Sequence, residues 1–158
     1  MNKQITLNEH PAIVVEKMVA TDLKEVIAIE RDVFTSPWTK EMFYSELFDN
    51  PLSSSFTVKQ EGQIVGYLFF WNVAGELHLM NIATHRKWQR RGIGEALLKW
   101  LFETCQKRGM RGVTLEVRAS NFPARLLYQK LGCYEVGIRK NYYYSPLEDA
   151  ILLACDFH

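Results

Sequence analysis

Gln89-Arg90-Arg91-Gly92-Ile93-Gly94 stands between two runs of different period. The run before it, Glu76 to Thr84, reads as a strand. The run after it, Gly94 to Arg108, reads as a helix with Ala96, Leu97, Trp100 and Leu101 on its buried face. A glycine loop that passes from a strand into a helix N-terminus is an anion cradle. Glycine lets the backbone turn sharply and come close to a ligand, the first helical N–H groups have no internal partner, and the helix dipole favours negative charge there. Arg90 and Arg91 add fork-shaped donors suited to phosphate oxygens. The loop lacks the Lys-Ser/Thr of a Walker loop, and Leu97 stands where a dinucleotide fingerprint needs a third glycine or alanine. The plain alternative is a helix end with solvated arginines. The basic residues before the glycines and the flanking strand and helix favour pyrophosphate binding.

Outward from this loop the elements alternate in kind. Ala12 to Met18 is a strand. A helix starts at Thr21-Asp22, with Leu23, Val26, Ile27 and Glu30 at helical spacing, and ends at Ser36-Pro37-Trp38-Thr39. Thr39 caps a second helix that Asn50-Pro51 stops. Ser55 to Gln60, Gln63 to Asn72 and Glu76 to Thr84 form an antiparallel meander, with turn signals at Glu61-Gly62 and Ala74-Gly75. After the glycine-loop helix come a strand at Val113 to Val117, a helix from Phe122 to Leu131 stopped by Gly132, and strands at Tyr134 to Lys140 and Ala150 to Asp156. The order β-α-α-β-β-β-α-β-α-β-β predicts about seven strands and four helices, an α/β (α+β) class with one mixed sheet and helices packed on it. Residues 1–158 read as a single domain, with 1–11 as an N-terminal extension.

The 158 residues are 47% apolar and 23% charged, enough to bury one core and unlike a disordered or fibrous chain. A formal net charge of +1 does not suit a chain built to coat nucleic acid. The longest apolar run, Ile64 to Trp71, is far short of the roughly 20 residues of a membrane span. The N-terminus has no apolar signal core. Three cysteines with no Cys-x-x-Cys spacing and four histidines with no paired spacing predict no disulfide framework and no metal, and a cytoplasmic location.

A second cluster lies in Leu115-Glu116-Val117-Arg118-Ala119-Ser120-Asn121 and Leu127-Tyr128-Gln129-Lys130-Leu131-Gly132. Strand alternation puts Val113, Leu115 and Val117 on one face and Thr114, Glu116 and Arg118 on the other. A mid-strand carboxylate is costly to bury unless it is paired or used. Its structural alternative is an ion pair with Arg118 or Arg139. Asn121 and Tyr128, two helical turns apart, share a face that begins where this strand ends. A carboxylate raised in pKa by partial burial takes a proton from an amine, and a tyrosine holds one for a leaving group. Cys105 and Cys133 stand in no activating setting.

These motifs resemble the Gcn5-related N-acetyltransferase superfamily, whose Gln/Arg-x-x-Gly-x-Gly/Ala motif is filled by Gln89, Gly92 and Gly94. The resemblance covers most of the chain. It implies an acyltransferase using acetyl-CoA as cosubstrate, without metal. Gln89, Arg90, Arg91, Gly92, Ile93, Gly94 and Glu95 would hold the pyrophosphate. The preceding strand, at Asn81, Ile82, Ala83 and Thr84, would splay open to hold the pantetheine and polarise the acetyl carbonyl.

Within that superfamily, Leu-Glu-Val-Arg-x-Ser-Asn, Ser36-Pro37-Trp38-Thr39, Asn81-Ile82-Ala83 and the Arg139-to-Tyr143 and Glu148-Asp149-Ala150 hairpin are similar to the ribosomal-protein alanine N-acetyltransferases, the RimI-like branch. The similarity implies that Glu116 accepts a proton, Tyr128 donates one and Asn121 contacts coenzyme A. The substrate would be the N-terminal alanine of small-subunit ribosomal protein number eighteen. Cys133 stands where that branch has phenylalanine, and Tyr144 to Leu147 make a short hairpin tip. On the peptide side, Trp38 is either a groove wall or a core anchor, and one of Tyr142 and Tyr143 lines the groove. Glu30, Asp32, Glu41 and Glu46 read as a solvated helix face rather than an attractor of basic peptides. Alternatives are a small-amine acetyltransferase of the same fold (polyamine or antibiotic), a non-catalytic coenzyme A sensor, and an RNA-binding module using Arg86, Lys87, Trp88, Arg90 and Arg91; stable nucleic-acid or membrane binding is not expected.

Overall fold

A computed structural model of the protein describes residues 3–5 and 13–157. Its strands are β1 (Lys3–Ile5), β2 (Ile13–Lys17), β3 (Ser53–Gln60), β4 (Gln63–Val73), β5 (Glu76–Thr84), β6 (Gly112–Arg118), β7 (Tyr134–Tyr143) and β8 (Glu148–Asp156). The helices are α1 (Leu23–Val33), α2 (Lys40–Tyr44), α3 (Ile93–Lys107) and α4 (Phe122–Lys130). The expected elements occur in the expected order. β1 is an addition: part of the stretch read as an extension pairs antiparallel with β2, Gln4 opposite Val14.

One mixed sheet runs β1-β2-β3-β4-β5-β6-β8-β7. Its neighbours are antiparallel except β5 and β6, which α3 joins as a parallel crossover. β4 is buried on both faces, as a central strand demands. Val65, Leu68 and Phe70 pack with α3 residues Leu97, Leu98, Trp100 and Leu101. Ile64, Tyr67 and Phe69 pack with Val26, Ile27 and Phe43 of α1 and α2.

Local chemistry fixes the ends. Asp22 Oδ2 accepts from the Val19 N–H at 2.9 Å at the start of α1. Thr39 caps α2 by accepting from Met42 N–H at 3.2 Å. α2 then widens into a π turn, Ser45–Asp49, closed by Asn50 N–H to the Ser45 carbonyl at 3.1 Å.

Two irregularities open the sheet. β4 and β5 change register between Phe69 opposite Asn81 and Phe70 opposite Leu79, so Met80 is an extra residue in β5. β5 and β6 pair only at Leu77–Val113, His78–Thr114 and Leu79–Leu115. Beyond Leu79 the two parallel strands part, and a wedge separates Met80–Thr84 from Glu116–Arg118.

Candidate active site

The wedge is the floor of a cavity of about 260 Å³ that passes between the two faces of the sheet. Leu79, Ile82, Leu115, Val117, Ala124 and Tyr128 line it from the α3 and α4 side. Glu30, Trp38, Met80 and Glu116 line it from the α1 and α2 side. Glu116 and Tyr128 therefore reach one cavity from opposite faces. Asn121 joins them as the cap of α4 rather than as a residue within it, accepting from Ala124 N–H at 3.3 Å. The shared helix face expected for Asn121 and Tyr128 is replaced by a cap and a second-turn residue on one cavity.

Glu116 finds a partner that the sequence reading missed. His78 Nε2 lies 3.0 Å from Glu116 Oε2, and His78 Nδ1 lies 3.0 Å from Thr114 Oγ1. The expected rise in the Glu116 pKa is corrected: the His78 hydrogen bond outweighs burial and holds the carboxyl below its ordinary value, with the charges of His78 and Arg139 adding to it. Arg118, the other expected partner, pairs instead with Glu148 at 3.3 Å. Burial pushes the Tyr128 hydroxyl well above the usual tyrosine value, with Cys133 and Tyr143 adding to it. Burial also raises the Cys105 thiol to about 11 and raises Cys133 further. Neither is a poised nucleophile.

The glycine loop forms a separate cavity of about 370 Å³ past the end of β5, lined by Thr84, Gln89, Arg90, Gly92, Ile93, Gly94 and Glu95 among others. Gly92 has φ +79°, open space where a Cβ would stand, and no capping side chain at the start of α3. The first helical N–H groups thus face a cradle that fits a pyrophosphate. Gln89 Nε2 donates to the Thr84 carbonyl at 3.0 Å and ties the loop to the end of β5. Arg91 lies over the Trp88 ring, 4.8 Å from its centroid. Ala83 is buried against the α1 and α2 cluster, so only its backbone is available to a ligand.

A groove of about 520 Å³ continues from the cleft, sharing Trp38, Leu79, Met80, Glu116 and Tyr143 with it. Trp38 is both wall and anchor: it lines both cavities and packs on Phe43 and Phe69 at 5.2 and 5.3 Å between ring centroids. Tyr142 and Tyr143 both line the groove, although alternation predicted one. The register of β7 shifts between Arg139 and Tyr143, with Asn141 at φ +54°, which breaks the alternation. The hairpin tip folds onto its surroundings. Ser36 Oγ donates to the Tyr144 carbonyl at 2.7 Å, and Arg118 donates to the Tyr144 and Pro146 carbonyls at 3.0 Å.

Two acidic residues depart from the solvated reading. Glu30 is 2% exposed and accepts from Tyr67 Oη at 2.6 Å, Asn81 Nδ2 at 2.8 Å and Trp38 N–H at 2.9 Å. Glu46 lines the groove, held by Trp71 and Asn50.

The profile of the acetyltransferase (GNAT) family matches residues 23–133. A Bacillus subtilis (strain 168) protein, provisionally named a ribosomal protein bS18-alanine N-acetyltransferase, is 40% identical over 88% of this chain and 92% of its own length. The Escherichia coli (strain K12) ribosomal protein bS18-alanine N-acetyltransferase is 37% identical over 89% of this chain and 95% of its own. The crystal structure of the Escherichia coli ribosomal-protein-S18-alanine N-acetyltransferase superposes with a TM-score of 0.85 at 35% identity, over 92% of this chain and 94% of that one.

Proposed function

The chain belongs to the GNAT acetyltransferase family, and on that premise we propose that it moves an acetyl group from acetyl-CoA to the N-terminal alanine amine of ribosomal protein bS18, the substrate in the names of its relatives. The observation that carries this reading is the single cavity in which Glu116, Tyr128, Asn121 and Ile82 meet, continuous with a groove for a peptide. A ribosomal protein as substrate puts the reaction in the cytoplasm. No helix among the described residues is long and apolar enough to cross a membrane.

The chemistry follows from the residues. Acetyl-CoA supplies the acetyl group as a thioester. Gln89 to Glu95 bind the pyrophosphate through the start of α3, with Arg90 beside it. The free backbone of β5 around Ile82 holds the acyl arm and aims an N–H at the carbonyl oxygen as negative charge develops there. The amine must be neutral to attack, while a free amino terminus has a pKa of about 8. Glu116, kept ionised by His78, attracts the ammonium group and accepts its proton directly or through a water. The Tyr128 hydroxyl, protonated at neutral pH, hydrogen-bonds the departing sulfur and supplies its proton. Attack is direct, in a ternary complex, without a covalent enzyme intermediate.

The test is incubation with acetyl-CoA and an Ala-Arg peptide, the same peptide with a blocked terminus, a lysine peptide, and spermidine, with thiol release and mass spectrometry as readouts. Acetylation of the free alanine terminus alone is expected. Turnover of spermidine alone overturns the peptide substrate and keeps the acetyl transfer.

A further inference from the structure

Glu46 sits in the π turn that extends α2, half-buried, with both carboxylate oxygens held. Trp71 Nε1 donates to Oε1 at 2.9 Å and Asn50 Nδ2 donates to Oε2 at 2.8 Å. Both donors are neutral. They orient the carboxylate and leave its charge uncompensated, with lone pairs still open to the groove. The groove holds a second carboxylate, Glu116, and the rings of Trp38, Trp71, Tyr142 and Tyr143; no lysine or arginine is among the described residues that line it. Arg118 and Arg139 do lie over Tyr143 and Tyr142, which leaves the Trp38 and Trp71 end beside Glu46 to meet a cation. A groove with fixed anions and aromatic faces favours a cation. Turns of the π type recur at functional positions in helices, because the inserted residue re-aims a side chain.

Position argues for the length of substrate between the two carboxylates. The Trp71 ring centroid is 6.4 Å from that of His78, and His78 is bonded to Glu116. An indole and an imidazole thus separate Glu46 from the proton acceptor. An extended peptide advances about 3.3 Å per residue, so with its terminus at Glu116 the long side chain of a basic second or third residue spans the remaining distance toward Glu46. We infer that Glu46 is a specificity-determining residue that selects peptides carrying an arginine or lysine one or two residues behind the acetylated terminus, an assignment that rests on the peptide reading above.

The experiment compares kcat/KM of the full-length protein for three alanine-initiated peptides: arginine second, arginine third, and glutamine at both positions. Mass spectrometry confirms the site of acetylation. A charge-assisted hydrogen bond predicts about a 10–100-fold preference for an arginine peptide, carried by KM and falling as salt is raised. In Glu46→Gln the ratio collapses toward unity, and in Glu46→Asp much of it returns. Equal values for basic and neutral peptides in the unmodified protein overturn the assignment while leaving N-terminal transfer intact. So does a preference that survives Glu46→Gln. Acetylation of spermidine with no peptide turned over overturns both readings together. The salt dependence in the unmodified protein decides the matter if the variants do not fold.

Discussion

His78 Nε2 and Glu116 Oε2 are 3.0 Å apart across the last paired rungs of two parallel strands. Pairing of His78 with Thr114 puts the imidazole within reach of both Thr114 and Glu116, two residues apart on one face of β6. The hydrogen bond makes Glu116 a more acidic group than its burial alone would allow.

Glu116→Gln is expected to lower kcat by roughly 10²–10⁴-fold and to leave acetyl-CoA affinity in place. Steady-state kinetics with isothermal titration of the cofactor separates the two effects. The same residue has a stability signature. Its folded pKa is depressed, so its contribution is complete above the ordinary glutamate value and is lost as pH falls through the lowered folded value. Denaturant unfolding of the parent and of Glu116→Gln should differ at neutral pH by about 1 kcal/mol and converge in strong acid.

Tyr128→Phe should slow the chemical step by about 10²-fold or more, read by single-turnover acetyl transfer. The hydroxyl is pushed above the usual tyrosine range, so its ionisation contributes no alkaline fall in rate below about pH 10. A fall there that disappears in Tyr128→Phe would show the hydroxyl ionising in the ordinary tyrosine range, against the upward push of burial.

Arg90 lines the loop cavity, whereas Arg91 lies over Trp88. Arg90→Ala should therefore raise the acetyl-CoA KM by about tenfold or more with kcat little changed, and Arg91→Ala should raise it less. Equal effects would show that Arg91 leaves the indole to reach the phosphates.

Glu30→Gln puts an amide donor among Tyr67 Oη, Asn81 Nδ2 and Trp38 N–H, which all donate to the native carboxylate. A mismatched buried donor costs about 1–3 kcal/mol. Thermal and denaturant unfolding should register the loss, together with a higher peptide KM, because the Trp38 backbone is held by this bond.

Every strand from β2 onward and every helix was legible, because β4 and β5 carry strong apolar runs and α1 and α3 clear helical spacing. Glu116, Tyr128 and Asn121 converge as their motifs imply. His78 was not legible: it is a lone histidine between Leu77 and Leu79, and its value comes from a parallel register that no local pattern encodes. Glu30 had a signal that was misread. It falls on the apolar stripe of Val26 and Ile27, where a charged residue is buried with partners rather than solvated. The extra residue at Met80 and the irregularity near Asn141 depend on long-range pairing, so the two tyrosines facing one groove followed only from the folded chain. Glu46 likewise needed the π turn to show where it points.

The parting of β5 and β6 after Leu79 has a consequence for dynamics. On the side away from β4, backbone groups between Met80 and Thr84 have no neighbouring β6 rung. Amides there should exchange with solvent faster than those of the paired rungs at Leu77–Leu79, although both belong to one central strand. The acyl arm of coenzyme A carries amides of its own. Laid in this gap, it acts as a short ninth strand supplied from outside, and its arrival should slow exchange along β5 before any acetyl group is transferred.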